Sequence, residues 1–163
     1  MKNTTLCYMI QNGQYLLLHR VKKKNDTNQD KWIGIGGKFE DKESPEDCML
    51  REFYEETGCR MIDYWYRGII TFVSDKAETE YMHLFTASQY EGTLSECDEG
   101  VLEWVSPAQF PSLLFWEGDY IFLDLLQQGI PFFSLKLVYQ DEHLIQAVLN
   151  GTTLPLPYSG AFS

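Results

Sequence analysis

Residues 44–58, SPEDCMLREFYEETG, restrict this chain more than any other stretch, because they hold the start, the stop and the chemistry of one helix. Ser44 can cap free backbone N–H groups, Pro45 suits the first helical position, and Asp47, three residues after the cap, completes a capping box. Gly58 supplies the left-handed residue that ends a helix, so the helix is predicted over Pro45–Thr57. Met49, Leu50 and Phe53 make its apolar side and are expected to face a core. Glu52, Glu55 and Glu56, at spacings of three and four, share the other side. They also lie in the last turns, where the helix dipole disfavours anions. Any fold holding this helix must bury one side and neutralise the other.

A bare E-x-x-E-E run is most often a solvated face. Here Arg51 stands beside the glutamates, able to orient a carboxylate, and Glu43 precedes the helix by a short step. Grouped hard oxygens of this kind suit Mg²⁺, or Mn²⁺, rather than zinc. The net charge of −11 argues the same way. A surface this acidic excludes wrapping of a nucleic-acid polymer, and a phosphate-bearing substrate would be repelled unless divalent cations intervened.

The 163 residues, 44% hydrophobic and 15% aromatic, exclude a disordered chain and predict a single domain over residues 1–150. The proline-bearing residues 151–163 read as a tail, loose or laid over a neighbour. Cys7, Cys48, Cys59 and Cys97 show no C-x-x-C pairing, as reduced thiols would not, and His19, His83 and His143 are scattered. No apolar run approaches the roughly 18 residues of a membrane helix and no signal peptide is evident, so a cytoplasmic protein without a membrane partner is expected. Oligomeric state is not legible.

Along the chain, strands are predicted at residues 4–10 and 14–20, joined by a turn at Gln11-Asn12-Gly13, and again at 62–74 and 79–89. Val101–Val105 reads as a short strand and Ser106-Pro107 as another helix start. Residues 115–119 form an aromatic loop, 120–128 a helix, and 132–139 and 144–149 the closing strands. Lys22-Lys23-Lys24 is a solubilising patch or, with Arg20, a grip for a triphosphate. The small Gly36-Gly37 pair would let backbone approach metal or phosphate.

Gly37, five residues, Glu43, seven residues, then Arg51-Glu52-Phe53-Tyr54-Glu55-Glu56-Thr57-Gly58-Cys59 fits G-x5-E-x7-R-E-U-x-E-E-x-G-U, and by it the chain resembles the Nudix hydrolases. Every fixed position is filled; the two U positions hold Phe53 and Cys59. Residues 31–38, KWIGIGGK, residues 96–99 with Glu103-Trp104, and residues 115–119, FWEGD, extend the similarity to the MutT branch of the family. The resemblance implies an α/β/α sandwich around a mixed β-sheet, carrying the motif as a loop–helix–loop. It implies an enzyme that hydrolyses a nucleoside triphosphate, foremost 8-oxo-dGTP, to the monophosphate and pyrophosphate, a step that cleanses the nucleotide pool and belongs with DNA repair.

In that reading Glu52, Glu55, Glu56 and the Gly36 carbonyl hold the metal, and Glu99 stands in for a further metal-binding glutamate. Glu52 or Glu99 takes the water proton, and Arg51 fixes carboxylate geometry by pairing with Glu43. Gly37 and Lys38 complete the approach to the phosphates. A purine would stack on Trp116 or Trp32, with Asp119 hydrogen-bonded to its edge. Two positions depart from the mammalian oxidised-purine hydrolases of the family: Ile33 replaces an asparagine whose amide contacts the base, and Gly118 replaces one of two adjacent acids. Another Nudix substrate (a dinucleoside polyphosphate, ADP-ribose or general dNTPs) stays open. So does a nucleotide-binding module without catalysis, though none of the carboxylates is missing.

Overall fold

The computed structural model describes residues 1–22, 26, 28–95 and 97–160. Its framework is a nine-stranded mixed sheet. Strands β1 (Lys2–Gln11) and β2 (Gln14–His19) form the first hairpin and β3 (Trp32–Ile33) follows. After the helix α1 (Pro45–Thr57) and a short strand β4 (Arg60–Met61) come β5 (Trp65–Ser74), β6 (Glu80–Ala87) and a short β7 (Tyr90–Glu91). Then follow β8 (Val101–Val105), the helix α2 (Asp119–Gln127), β9 (Phe133–Gln140), β10 (His143–Leu149) and β11 (Thr152–Thr153). The order is β11-β10-β9-β5-β6-β1-β2-β3, with β8 also on β2; β1 runs parallel to β6 and β5 parallel to β9.

Side chains alternate across this sheet and so feed two cores. Tyr8, Tyr15, Leu17, Met82 and Leu84 join Ile121, Phe122 and Leu125 of α2 on one face. Cys7, Met9, Leu16 and Phe85 join Met49 and Phe53 of α1 on the other. A helix therefore covers each face, giving the mixed-sheet α/β architecture expected.

Local signals were the most faithful. The Ser44 side chain accepts from the Asp47 N–H at 3.0 Å, and the Ser44 N–H donates to Asp47 Oδ2 at 3.0 Å. Gly58 caps the C-terminus at φ 74°, in the left-handed region. Differences arise where tertiary pairing intervenes. Residues 60–61 pair with 90–91 instead of extending β5, and Asp63 accepts the N–H groups of Ser88 and Gln89, which delays β5 to Trp65. Past Ser106 the chain makes only a 3-10 helix, Pro107–Ser112, because Pro111 inside it cannot continue the ladder.

Of the two expectations for the tail, the structure shows it laid over neighbouring elements as far as residue 160 rather than loose. β11 pairs with β10, and Leu154, Leu156 and Tyr158 pack on the α2 core. The Tyr158 hydroxyl donates to Asp124 Oδ2 at 2.5 Å. Alternating apolar residues between the prolines drive this docking. Among the described residues no helix is long and apolar enough to cross a membrane.

Candidate active site

The segment after β3 crosses from β2 to β1. Ile33 pairs with Leu18, whereas Ile35 exchanges backbone hydrogen bonds with Cys7, and Gly37 O accepts the Thr5 N–H at 2.9 Å. A Cβ on Gly36 would sit 1.8 Å from Thr5 O, so close backbone packing is what demands glycine there. At Gly37 a Cβ would meet the Glu52 carboxylate at 2.5 Å. The two glycines thus seat the loop against β1 on one side and against the α1 carboxylates on the other. Gly37→Ala should leave the fold intact, since it presses on the mobile end of a side chain, yet lower kcat about 10- to 100-fold by displacing Glu52. Steady-state assays with a melting curve would check this, and full activity would show that Glu52 has freedom to spare.

Arg51 organises the carboxylates. Its guanidinium grips Glu43 with two bonds, at 2.7 and 3.0 Å, and donates to Glu52 at 2.9 Å, Glu55 at 3.3 Å and Lys38 O at 2.9 Å. The Arg51 hydrogen bond holds Glu43 below the usual carboxylate range. Burial pushes Glu52 up despite Arg51. Glu55 is exposed, whereas Glu56 is buried and its carboxyl is pushed up to about 9, first by desolvation and then by Glu52 and Glu99. Gly36 contributes a backbone hydrogen bond to Glu56, but Oε2 is buried with no partner among the described residues.

Glu99 reaches this end from the other side, held by Arg20 at 2.8 Å; Arg20 also pairs with Asp26 at 2.7 Å. Arg20, expected to grip phosphate, is therefore engaged by two carboxylates. Among the described residues no three His, Cys, Asp or Glu side chains are gathered as a ready-made metal cage. The donor chemistry nonetheless fits a hard divalent cation: oxygen ligands only, a shared surplus of negative charge, and one buried carboxylate oxygen left unpaired.

One cleft of about 870 Å³ links Arg51, Glu52, Glu55 and Glu99 to a second, aromatic end, with Glu56 buried behind its lining. Gly36, Gly37, Lys38, Arg51, Glu52 and Glu99 line the first end; Ile33, Phe72, Met82, Trp116, Asp119 and Tyr139 line the second. Trp116 is fixed by its Nε1–H donating to Asn28 Oδ1 at 2.7 Å, with Lys31 Nζ 4.1 Å from its ring centre. Asp119, the first residue of α2, is buried, and desolvation lifts its carboxyl to about 8 against the pull of Lys31. Trp32 does not line the cleft. It stacks on His19 at 4.2 Å, because its neighbour Ile33 is the residue of β3 turned to the cleft. Lys22 also lies off the cleft and donates to Cys97 O at 3.3 Å. Lys23, Lys24 and Glu96 lie outside the described residues. Lys31, Asn28 and Tyr139 were not foreseen; each acts through partners remote in sequence, which no local pattern reveals.

Residues 2–126 match a family model described as the NUDIX domain. YvcI of Bacillus subtilis, an uncharacterized Nudix hydrolase, is 31% identical over 134 residues, covering 79% of this chain and 81% of its own. The oxidized purine nucleoside triphosphate hydrolase of Danio rerio is 34% identical over 129 residues, covering 78% and 80%. Among solved structures, a MutT protein from Bacillus halodurans matches with a TM-score of 0.81 at 25% identity, across 92% of this chain and 98% of that one.

Proposed function

Because the chain belongs to the Nudix family and is a phosphoanhydride hydrolase of the nucleoside triphosphate type, we propose that its substrate is 8-oxo-dGTP, cut to 8-oxo-dGMP and pyrophosphate. The observation that carries this reading is the single cleft that joins a carboxylate end to an aromatic end floored by a buried acid. Likeness to the oxidized purine nucleoside triphosphate hydrolases supports the choice of base.

Family members use divalent ions, and Mg²⁺, with Mn²⁺ as a substitute, suits an all-oxygen site held by Glu52, Glu55, Glu56, Glu99 and the Gly36 carbonyl. Such an ion supplies charge neutralisation and activation of water. The protein's own groups do the rest. Arg51 locks Glu52 in place. Glu52, made more basic by burial, accepts the proton of the attacking water. Lys38, at the same end, offsets phosphate charge. At the far end Trp116 and Phe72 bracket the base and Asp119 meets its edge.

The test is kcat/KM with Mg²⁺ for 8-oxo-dGTP, dGTP, ADP-ribose and diadenosine tetraphosphate. We expect 8-oxo-dGTP to lead dGTP by about tenfold or more. Nearly equal values would remove the sanitising role, and a lead for either of the other two would move the enzyme to that substrate. Asp119 adds a second expectation. With its carboxyl at about 8, it is a neutral acid below that pH, able to donate and accept; above it, it only accepts. Discrimination between 8-oxo-dGTP and dGTP should therefore decline as pH rises past 8. Asp119→Ala should erase most of it while slowing dGTP much less. An equal loss on every nucleotide would make Asp119 structural.

A further inference from the structure

Gly118, just before α2, has no space for a side chain. A Cβ there would meet Leu137 Cδ1 at 2.5 Å and the Tyr139 hydroxyl at 2.7 Å. Its φ of −72° is ordinary, so the backbone does not require glycine. The phenol does. The Tyr139 hydroxyl fills that space and accepts the Gly118 N–H at 2.7 Å.

Tyr139 lines the aromatic end of the cleft at only 7% exposure. Trp116 packs edge-on against its ring at 5.8 Å, and Phe72 lies at 6.4 Å, so the ring has little freedom. A tyrosine hydroxyl has one proton to give and lone pairs to accept with. The Gly118 N–H engages the oxygen, and among the described residues nothing takes the proton. Burial, with Asp119 and Glu117 adding to it, keeps the phenol protonated far above neutral pH. A buried donor without an acceptor is costly, and a ligand that supplies one recovers that cost.

We infer that Tyr139 is a specificity-determining residue, donating its hydroxyl proton to the carbonyl oxygen of a 6-oxopurine and disfavouring a 6-aminopurine. This rests on the purine triphosphate reading above. An exocyclic carbonyl presents lone pairs to the hydroxyl; an amino group at the same position presents a second donor, and one of the two goes unsatisfied. Asp119, on the same floor, is a separate group: it can match either base by changing its proton, whereas the phenol cannot.

The experiment compares dITP with dATP, which differ at position 6 and at N1 (protonated in the oxopurine, bare in the aminopurine), on the unaltered protein and on Tyr139→Phe, where loss of the hydroxyl alone isolates the contact at position 6. The unaltered protein should prefer dITP. Tyr139→Phe keeps the ring and should lower kcat/KM for dITP about five- to tenfold while leaving dATP within twofold, so the preference shrinks. Purine deoxyriboside triphosphate, which lacks the 6-oxygen, should fall behind dITP on the unaltered protein by a similar factor, an arm that needs no variant to fold. An equal fall on dITP and dATP with a lower Tm would make Tyr139 a packing residue. An unchanged ratio would also overturn the assignment, and both results leave the triphosphate reading standing. Absence of turnover with any purine triphosphate on the unaltered protein would overturn that reading and the role of Tyr139 together.

Discussion

Glu56→Gln should lower turnover about a thousandfold or more and yet make the metal-free protein more resistant to heat above neutral pH. A factor of that size corresponds to about 4 kcal/mol of transition-state stabilisation, which is what losing one charged metal ligand is expected to cost. The stability gain follows from burial. Folding lifts the Glu56 carboxyl from an ordinary 4.5 to about 9, so the folded state holds a proton that the unfolded chain releases. The sign is therefore fixed: this group favours the fold below pH 4.5 and withdraws that support as pH climbs to 9. The slope in between is at most about 1.4 kcal/mol per pH unit. Glutamine keeps the shape and carries no such slope. Melting curves from pH 5 to 9 in chelator should diverge, the variant staying flatter. Saturating Mg²⁺ should raise the Tm of the unaltered protein more than that of the variant, since binding to the folded state stabilises it. Retained turnover would break the metal assignment.

Arg51→Lys, conservative in charge, should cost roughly 100-fold in kcat, and Arg51→Ala more still. The guanidinium hydrogen-bonds three carboxylates and a carbonyl at once, with a two-pronged grip on Glu43 at 2.7 and 3.0 Å, and pairs with Glu40 at 3.6 Å. A lysine ammonium is a point charge that can meet one or two of these partners. Freed, Glu52 and Glu55 would repel each other along the helix. The Tm should drop by several degrees for Arg51→Ala and by less for Arg51→Lys, while KM changes little, because the loss lies in alignment of the acids. Near-normal kcat in Arg51→Lys would mean that charge alone suffices.

How much of this was legible depended on distance along the chain. The bounds of α1 rest on Ser44, Asp47 and Gly58, all within reach of the helix they end, and the sequence carried them without ambiguity. The pairing of Arg51 with Glu43 was expected from the family resemblance, and the structure shows it. Glu99 required a likeness to other proteins, because its partner Arg20 is 79 residues away. The choice between Trp116 and Trp32 as the stacking platform was not legible, since β3 is too short for an alternation pattern to declare which of its two residues meets the cleft. Whether the tail is loose or docked was not legible, because prolines masked three apolar residues that pack on the core beneath α2. Gly118 stood out in the sequence only as a departure from the family pattern and Tyr139 not at all; the fold of β9 beside the start of α2 makes them a pair.

The two separate cores carry an evolutionary consequence. The acid-bearing helix rests on one and the helix beginning at Asp119 on the other, with a sheet as partition. Lineages descending from such a protein could repack the core beneath the second helix, behind the nucleobase, and so change diet, while the core that seats the acid-bearing helix stays as it is.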